Sequence, residues 1–127
     1  MIRRAYAHDD TLVIDRFETG LVNAGVPDTN WGWDGQERWV ELKAIKTGYQ
    51  VAISQHQLDW HKARRAVKIS TWLLIYHLPS ENILLYPSED AERLKELGIR
   101  EVPPCSTYQR EARRRYDWEK LKRDIFA

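Results

Sequence analysis

Asp28, Glu41 and Lys43 are the residues of this chain whose types and spacing could do chemistry together. Two carboxylates and an amine could hold one divalent metal ion and one attacking water, provided the chain brings them to one place. The Asp34-Gly35 pair lies between the acids, and Asp-Gly flanked by extended residues is a strong two-residue hairpin signal. With that pair as the turn, Trp33 pairs with Gln36, and counting outward sets Asp28 directly opposite Glu41. Opposed residues of an antiparallel pair have Cβ atoms roughly 4.5–5.5 Å apart on a shared face. Lys43 joins that face because strand side chains alternate. Two like charges facing each other repel unless something cationic sits between them, and a metal ion with a neighbouring ammonium supplies that cation. Taken singly, a Glu-x-Lys on a strand reads as a surface pair and a Pro-Asp as a turn; their convergence is what favours a metal site.

The elements that must position these residues follow from the pattern around them. Residues 29–33 and 37–45 read as strands, with Thr29, Trp31, Val40 and Leu42 forming an apolar back opposite the acids. Residues 11–18 are open between a strand and a helix end, and 49–53 read as a short extended segment. Ser54-Gln55-His56-Gln57 has the form of a capping box, starting a helix expected to reach Ala66 with Leu58, Ala63 and the stem of Trp60 inward. The apolar run 68–77 suits a central strand covered on both sides, and 83–86 returns as another. Ser88 is expected to cap a helix ending at Gly98. Beyond Val102-Pro103-Pro104, a last helix is expected over about 106–126. Its stripe of Trp118, Leu121 and Ile125 could dock on its own domain, pair with a second copy or lay its arginines on DNA. The expected fold is α/β: a mixed central β-sheet flanked by helices, in one domain with a core over about 11–98 and a C-terminal helical appendage.

Composition narrows the classes. A chain of 127 residues, 43% hydrophobic and 31% charged, suits a single globular domain. The N-terminus carries no apolar signal-peptide core, and no run approaches the roughly 18 apolar residues of a membrane span. Cys105 is the single cysteine, which rules out an internal disulfide and a multi-cysteine zinc site and fits a reducing compartment; a cytoplasmic location with no membrane partner is the expectation. No phosphate-cradling glycine loop or glycine-flanked serine elbow occurs, which argues against a nucleotide cofactor and against hydrolase triads. His8, His56, His61 and His77 show no metal-ligand spacing, and His61 reads as a surface or half-buried residue. Net charge is only +1, but the charges are segregated. Lys62, Arg64, Arg65 and Lys68 are basic, residues 81–101 are mostly acidic, and Arg113 and Arg114 belong to a basic tail. A basic face with an acidic back is what binding a polyanion on one side requires. Trp31 and Trp33, near the hairpin tip, could stack on bases or on a second subunit, or lie partly buried beneath it.

Pro27-Asp28, then Glu41-x-Lys43, then a downstream helix with Gln57, resembles the PD-(D/E)XK nuclease superfamily. Within it, the run from Arg16-Phe17-Glu18 to about Tyr86 is similar to the small stand-alone phage nucleases of the VRR-NUC type. The matching pieces are Gly25-Val26-Pro27-Asp28, Trp39-Val40-Glu41-Leu42-Lys43 and Gln57-Leu58-Asp59-Trp60-His61, over a little more than half the chain. The resemblance implies a Mg²⁺ ion, with Mn²⁺ as a substitute, held by Asp28, Glu41 and the Leu42 backbone carbonyl. It also implies Glu18 as an outer ligand and Gln57, rather than Gln55, as the helix contribution to catalysis. Lys62, Arg64, Arg65, Lys68, Arg113 and Arg114 are the candidate DNA contacts. The implied activity is a structure-selective DNA endonuclease, resolving branched DNA such as Holliday junctions as a homodimer. The alternatives are a flap, nicking or restriction-type nuclease of the same fold, or a non-catalytic DNA-binding or assembly module.

Overall fold

The computed structural model describes residues 1–17 and 25–127, apart from the side chain of Arg114. Its described strands form one mixed sheet in the spatial order β1 (Leu12–Arg16), β2 (Thr29–Trp33), β3 (Gln36–Ile45), β4 (Trp72–His77), β5 (Asn82–Pro87) and β6 (Ser106–Tyr108). β3 and β4 run parallel and all other neighbours antiparallel. The flanking helices are α1 (Ile2–Ala5), α2 (Gln55–Ala66), α3 (Ala91–Leu97) and α4 (Trp118–Ile125). The fold is therefore α/β, a mixed central sheet between helices, with a C-terminal helix closing the chain. No helix among the described residues is long and apolar enough to cross a membrane.

The hairpin forms as the Asp-Gly signal requires. Asp34 and Gly35 both take positive φ, 51° and 74°, which a two-residue turn needs if its twist is to match that of the strands. Trp33 then pairs with Gln36 and Thr29 with Val40, the register obtained by counting. β3 outruns the hairpin and, after the crossover through α2, pairs with β4.

Alternation along the central strands makes two cores. Trp31, Val40, Leu74 and Leu85 face α1 and α4, where Leu121 and Ile125 are fully buried. Leu73, Ile75, Leu84 and Tyr86 face α2 and α3, packing with Leu58, Leu94, Val51 and Ile53. β4 is thus covered on both sides, as its apolar run implies.

Several expectations are corrected. Of the segment left open between strand and helix, Leu12–Arg16 forms a strand paired with β2, and residue 18 lies outside the described residues. Residues 49–53 form no strand, though Val51 and Ile53 are buried. Ala63 is exposed, and α2 buries Leu58 and His61 instead, one turn apart. Ser88 does not cap a helix: it is buried, opens a 3₁₀ turn (Ser88–Asp90), and its backbone N–H donates to Thr71 O. The terminal helix is not 106–126 but only Trp118–Ile125, capped by Asp117. Residues 106–108 extend the sheet because Tyr108 gains full burial there, its hydroxyl donating to Asp124 at 2.6 Å. Burying that ring at the sheet rim outweighs the helical character of the residues after it. The stripe of Trp118, Leu121 and Ile125 docks on its own domain.

Candidate active site

Asp28 stands where β2 begins, one residue beyond the last regular pair with β3. Its backbone N–H donates to Glu41 Oε2 at 3.0 Å, while its Oδ1 accepts from the Leu42 N–H at 2.8 Å. The carboxylate thus occupies a ladder position that a main-chain carbonyl would otherwise fill. The two strands are clasped by these acids: Glu41 accepts from the backbone of Asp28, and Asp28 from the backbone of Leu42, the residue after Glu41. Gly25 makes the approach possible. At φ +86° it lies so close to α2 that a Cβ there would fall 2.2 Å from the His56 carbonyl oxygen. The loop carrying Pro27-Asp28 is therefore pressed against the start of the helix carrying Gln57.

Gln57 joins the two halves of the site. Its Nε2 donates to Glu41 Oε1 at 2.9 Å, and its Oε1 accepts from Lys43 Nζ at 2.9 Å. The same Oε1 accepts from the Ser54 N–H, and the Ser54 hydroxyl accepts from the Gln57 N–H, completing the capping box. Helix capping and site construction are one arrangement: the cap fixes which end of the amide meets the lysine and which the glutamate. Gln55 instead bonds Asp59 on the exposed side of the helix. Lys43 Nζ lies 3.7 Å from Glu41 Oε1.

The electrostatics are unbalanced. Glu41 is only 4% exposed. Burial and the neighbouring Asp28 push its carboxyl up to about 7, against the lowering pull of Lys43. Burial also raises Asp28, although the Leu42 N–H and the nearby Arg16 guanidinium oppose it. Even with the Lys43 ammonium and the Arg16 guanidinium nearby, both carboxyls are raised, and a further cation would favour their charged forms.

The donor set fits a hard divalent ion. The two carboxylates are oxygen donors, and Mg²⁺ is commonly held by one or two protein carboxylates with waters completing its shell. Among the described residues no third His, Cys, Asp or Glu joins the pair. Glu18, the expected outer ligand, lies outside the described residues, as does the side chain of Arg114.

The proposed DNA contacts do not make one surface. Lys62 and Lys68 are exposed on and after α2. The Arg64 guanidinium lies 4.1 Å over the Trp60 ring. Arg65 is tied to the α3 side, donating to Ser88 O at 2.7 Å and pairing with Glu92 at 2.8 Å. Arg113 lines a shallow cleft with Ser80, Glu81 and Asn82 at the β4–β5 turn, apart from the α2 group.

The two tip tryptophans take the buried alternative, Trp31 within the apolar back. Trp31 is wholly buried, its indole N–H donating to Thr29 Oγ1, and Trp33 packs edge-on against Phe126. Neither serves as a stacking surface at the hairpin tip. His61 is fully buried rather than superficial, with Nδ1 2.7 Å from Thr71 Oγ1, and burial drives its pKa down to about 4. Its place one turn after Gln57 is legible in the sequence, but its long-range partner Thr71 is not. Arg16 was also missed as a site neighbour; it pairs with Thr29 across β1 and β2, which sets it beside Asp28. No protein-family model matches this chain, nor does any curated protein.

Proposed function

We propose that this protein is a metal-dependent DNA endonuclease of the PD-(D/E)XK kind, hydrolysing phosphodiester bonds in branched DNA such as a Holliday junction. The observation that carries the reading is the Asp28–Glu41–Lys43–Gln57 constellation, built from a strand start, a neighbouring strand and a capped helix. Asp28, Glu41 and the Leu42 carbonyl would hold Mg²⁺ or Mn²⁺, which when bound offsets phosphate charge and lowers the pKa of a coordinated water. Lys43 is the protein's own contribution to the attack. Its ammonium, aimed by the Gln57 amide, can hold the water in line or stabilise the charge developing on phosphate. Glu41, near neutrality before a cation arrives, can release a proton as one binds. Lys62, Arg64 and Lys68 are the cations of α2 and its C-terminal turn available for backbone phosphates, with a site in the cytoplasm the natural setting. Symmetric cutting of a four-way junction would require two copies, as an isologous pair provides.

Cleavage of a four-way junction, a flap and a linear duplex with Mg²⁺, Mn²⁺, Ca²⁺ or EDTA tests this reading directly. The junction should be cut fastest, only with Mg²⁺ or Mn²⁺, and Asp28→Asn should abolish cutting while DNA binding stays within about tenfold. A preference for the flap or duplex would move the assignment to a nuclease of the same chemistry. Full turnover in Asp28→Asn would overturn the assigned role.

A further inference from the structure

Phe17, Trp39 and Trp60 form a row beside the acidic pair. The ring centroids of Phe17 and Trp39 are 5.4 Å apart, and those of Trp39 and Trp60 5.7 Å apart. Among the described residues, neither hydrophobic core includes these rings or packs against them. Phe17 is 42% exposed and both indoles are half-buried. Among the described residues the three rings pack on one another, tilted or edge-on, with the Arg64 guanidinium over Trp60.

Their placement relates them to the site. Trp39 precedes Glu41 by two residues on β3, so it shares that face at about 6.8 Å along the strand. Trp60 follows Gln57 by three residues on α2, about 4.5 Å along the helix axis on the same side. Each element that supplies a site group therefore supplies an aromatic ring one step further on.

We propose that this row is a stacking platform for an unpaired base next to the phosphodiester held at the site, with Arg64 meeting the adjoining backbone phosphate. Aromatic faces accept any base because every base presents a π surface, and a cation beside them suits the polyanion. A paired base cannot reach such a row without leaving its stack, so the platform selects single-stranded or locally opened DNA. The inference rests on the nuclease reading for the phosphodiester's place, but the stacking itself needs neither metal nor hydrolysis.

The test is therefore made on the full chain in EDTA. Fluorescence anisotropy compares an eight-nucleotide oligothymidylate, an abasic strand of the same length and charge, and an eight-base-pair duplex. The thymidylate should bind at least tenfold more tightly than the abasic strand and quench tryptophan emission. Trp39→Leu and Trp60→Leu should each remove most of that preference while leaving abasic binding within twofold, and Trp60→Phe should restore it. Equal binding of thymidylate and abasic strands by the unaltered protein overturns the proposal without needing any variant. So does tighter binding of the duplex. Loss of a protein dimer in Trp39→Leu, seen by sedimentation, would assign the row to a second copy instead. A protein that stacks thymidylate yet cuts nothing with Mg²⁺ would retain the platform and lose the nuclease reading.

Discussion

Two lysines of this chain lie against carboxylates, and the acids of the two settings shift in opposite directions. Lys122 Nζ donates to Asp9 Oδ2 at 2.6 Å and stands 4.8 Å over the Trp33 ring. Asp9 is held down to about 2, chiefly by that bond with Thr11 assisting, and Lys122 is raised in turn. Each partner favours the other's charged form, which is the mark of a settled structural pair. Lys43 instead meets the Gln57 amide at 2.9 Å, with Glu41 3.7 Å away and Asp28 beside that. There both acids are pushed toward their neutral forms. The exposed Glu119 also reaches Lys122, at 3.4 Å, yet Asp9 stays charged there, whereas burial raises Asp28 and Glu41 in spite of Lys43 and Arg16. Proximity of lysine to carboxylate therefore says little by itself; the direction of the carboxylate shift separates a pair that fastens the fold from one built to receive something.

Substituting the two lysines in parallel breaks the comparison most sharply. Lys43→Met should lower junction cleavage by about a thousandfold, roughly 4 kcal/mol of transition-state stabilisation. It should move the urea-unfolding free energy at pH 7 by less than about 1 kcal/mol. Stability is spared because Glu41, already near neutrality, takes up a proton in place of the lost ammonium. Lys122→Met should do the reverse. Breaking a buried ion pair costs about 3 kcal/mol at the low end of the usual range, fitting an Asp9 that keeps some contact with water, and turnover of the folded protein should not change. Equal stability losses in the two variants would erase the distinction.

His61 sharpens the contrast on the site's own helix, since it is buried neutral with no charged partner. Its folded pKa of about 4 lies below the unfolded value of 6.5. Between these values the unfolded chain binds a proton that the folded chain refuses. The stability is therefore whole above pH 6.5 and lost as pH falls toward 4, by roughly 3 kcal/mol over the window. His61→Gln should flatten that part of the acid limb in urea unfolding from pH 7 to 4. An unchanged slope would show that His61 is protonated in the fold, with Thr71 accepting.

Much of the site was readable before any coordinates because its determinants are local. Asp34-Gly35 fixes the hairpin, the hairpin fixes the register, and the register brings Asp28 to Glu41. Ser54 and Gln57 likewise fix the helix start. The basic and aromatic surfaces were not readable in this way. Arg65, for one, is diverted to Glu92 across the packing of α3, which no local pattern announces. Trp39 and Trp60 could have been found by stepping two residues back from Glu41 and three on from Gln57. The tail failed for a tertiary reason: nothing near Tyr108 signals that the sheet has an open rim to receive it.

A metal titration in the absence of DNA asks whether the raised acids take up a cation, and its expected effect is the smallest. If Asp28 and Glu41 repel each other across a gap that one cation would fill, Ca²⁺ must stabilise the folded chain and not the unfolded one. At about ten times its dissociation constant it should add roughly 1.4 kcal/mol, raising the melting temperature by about 5 °C. Asp28→Asn removes both the repulsion and a ligand. That variant should melt at or above the unaltered protein without metal and gain nothing when Ca²⁺ is added. The Lys122–Asp9 pair serves as the control, because Lys122→Met should lower the melting temperature with and without Ca²⁺ by the same amount. An equal rise with Ca²⁺ in the unaltered protein and in Asp28→Asn would place the bound ion elsewhere. It would leave Asp28 and Glu41 as a strained pair that neutralises itself by holding a proton, as the raised carboxyl of Glu41 permits.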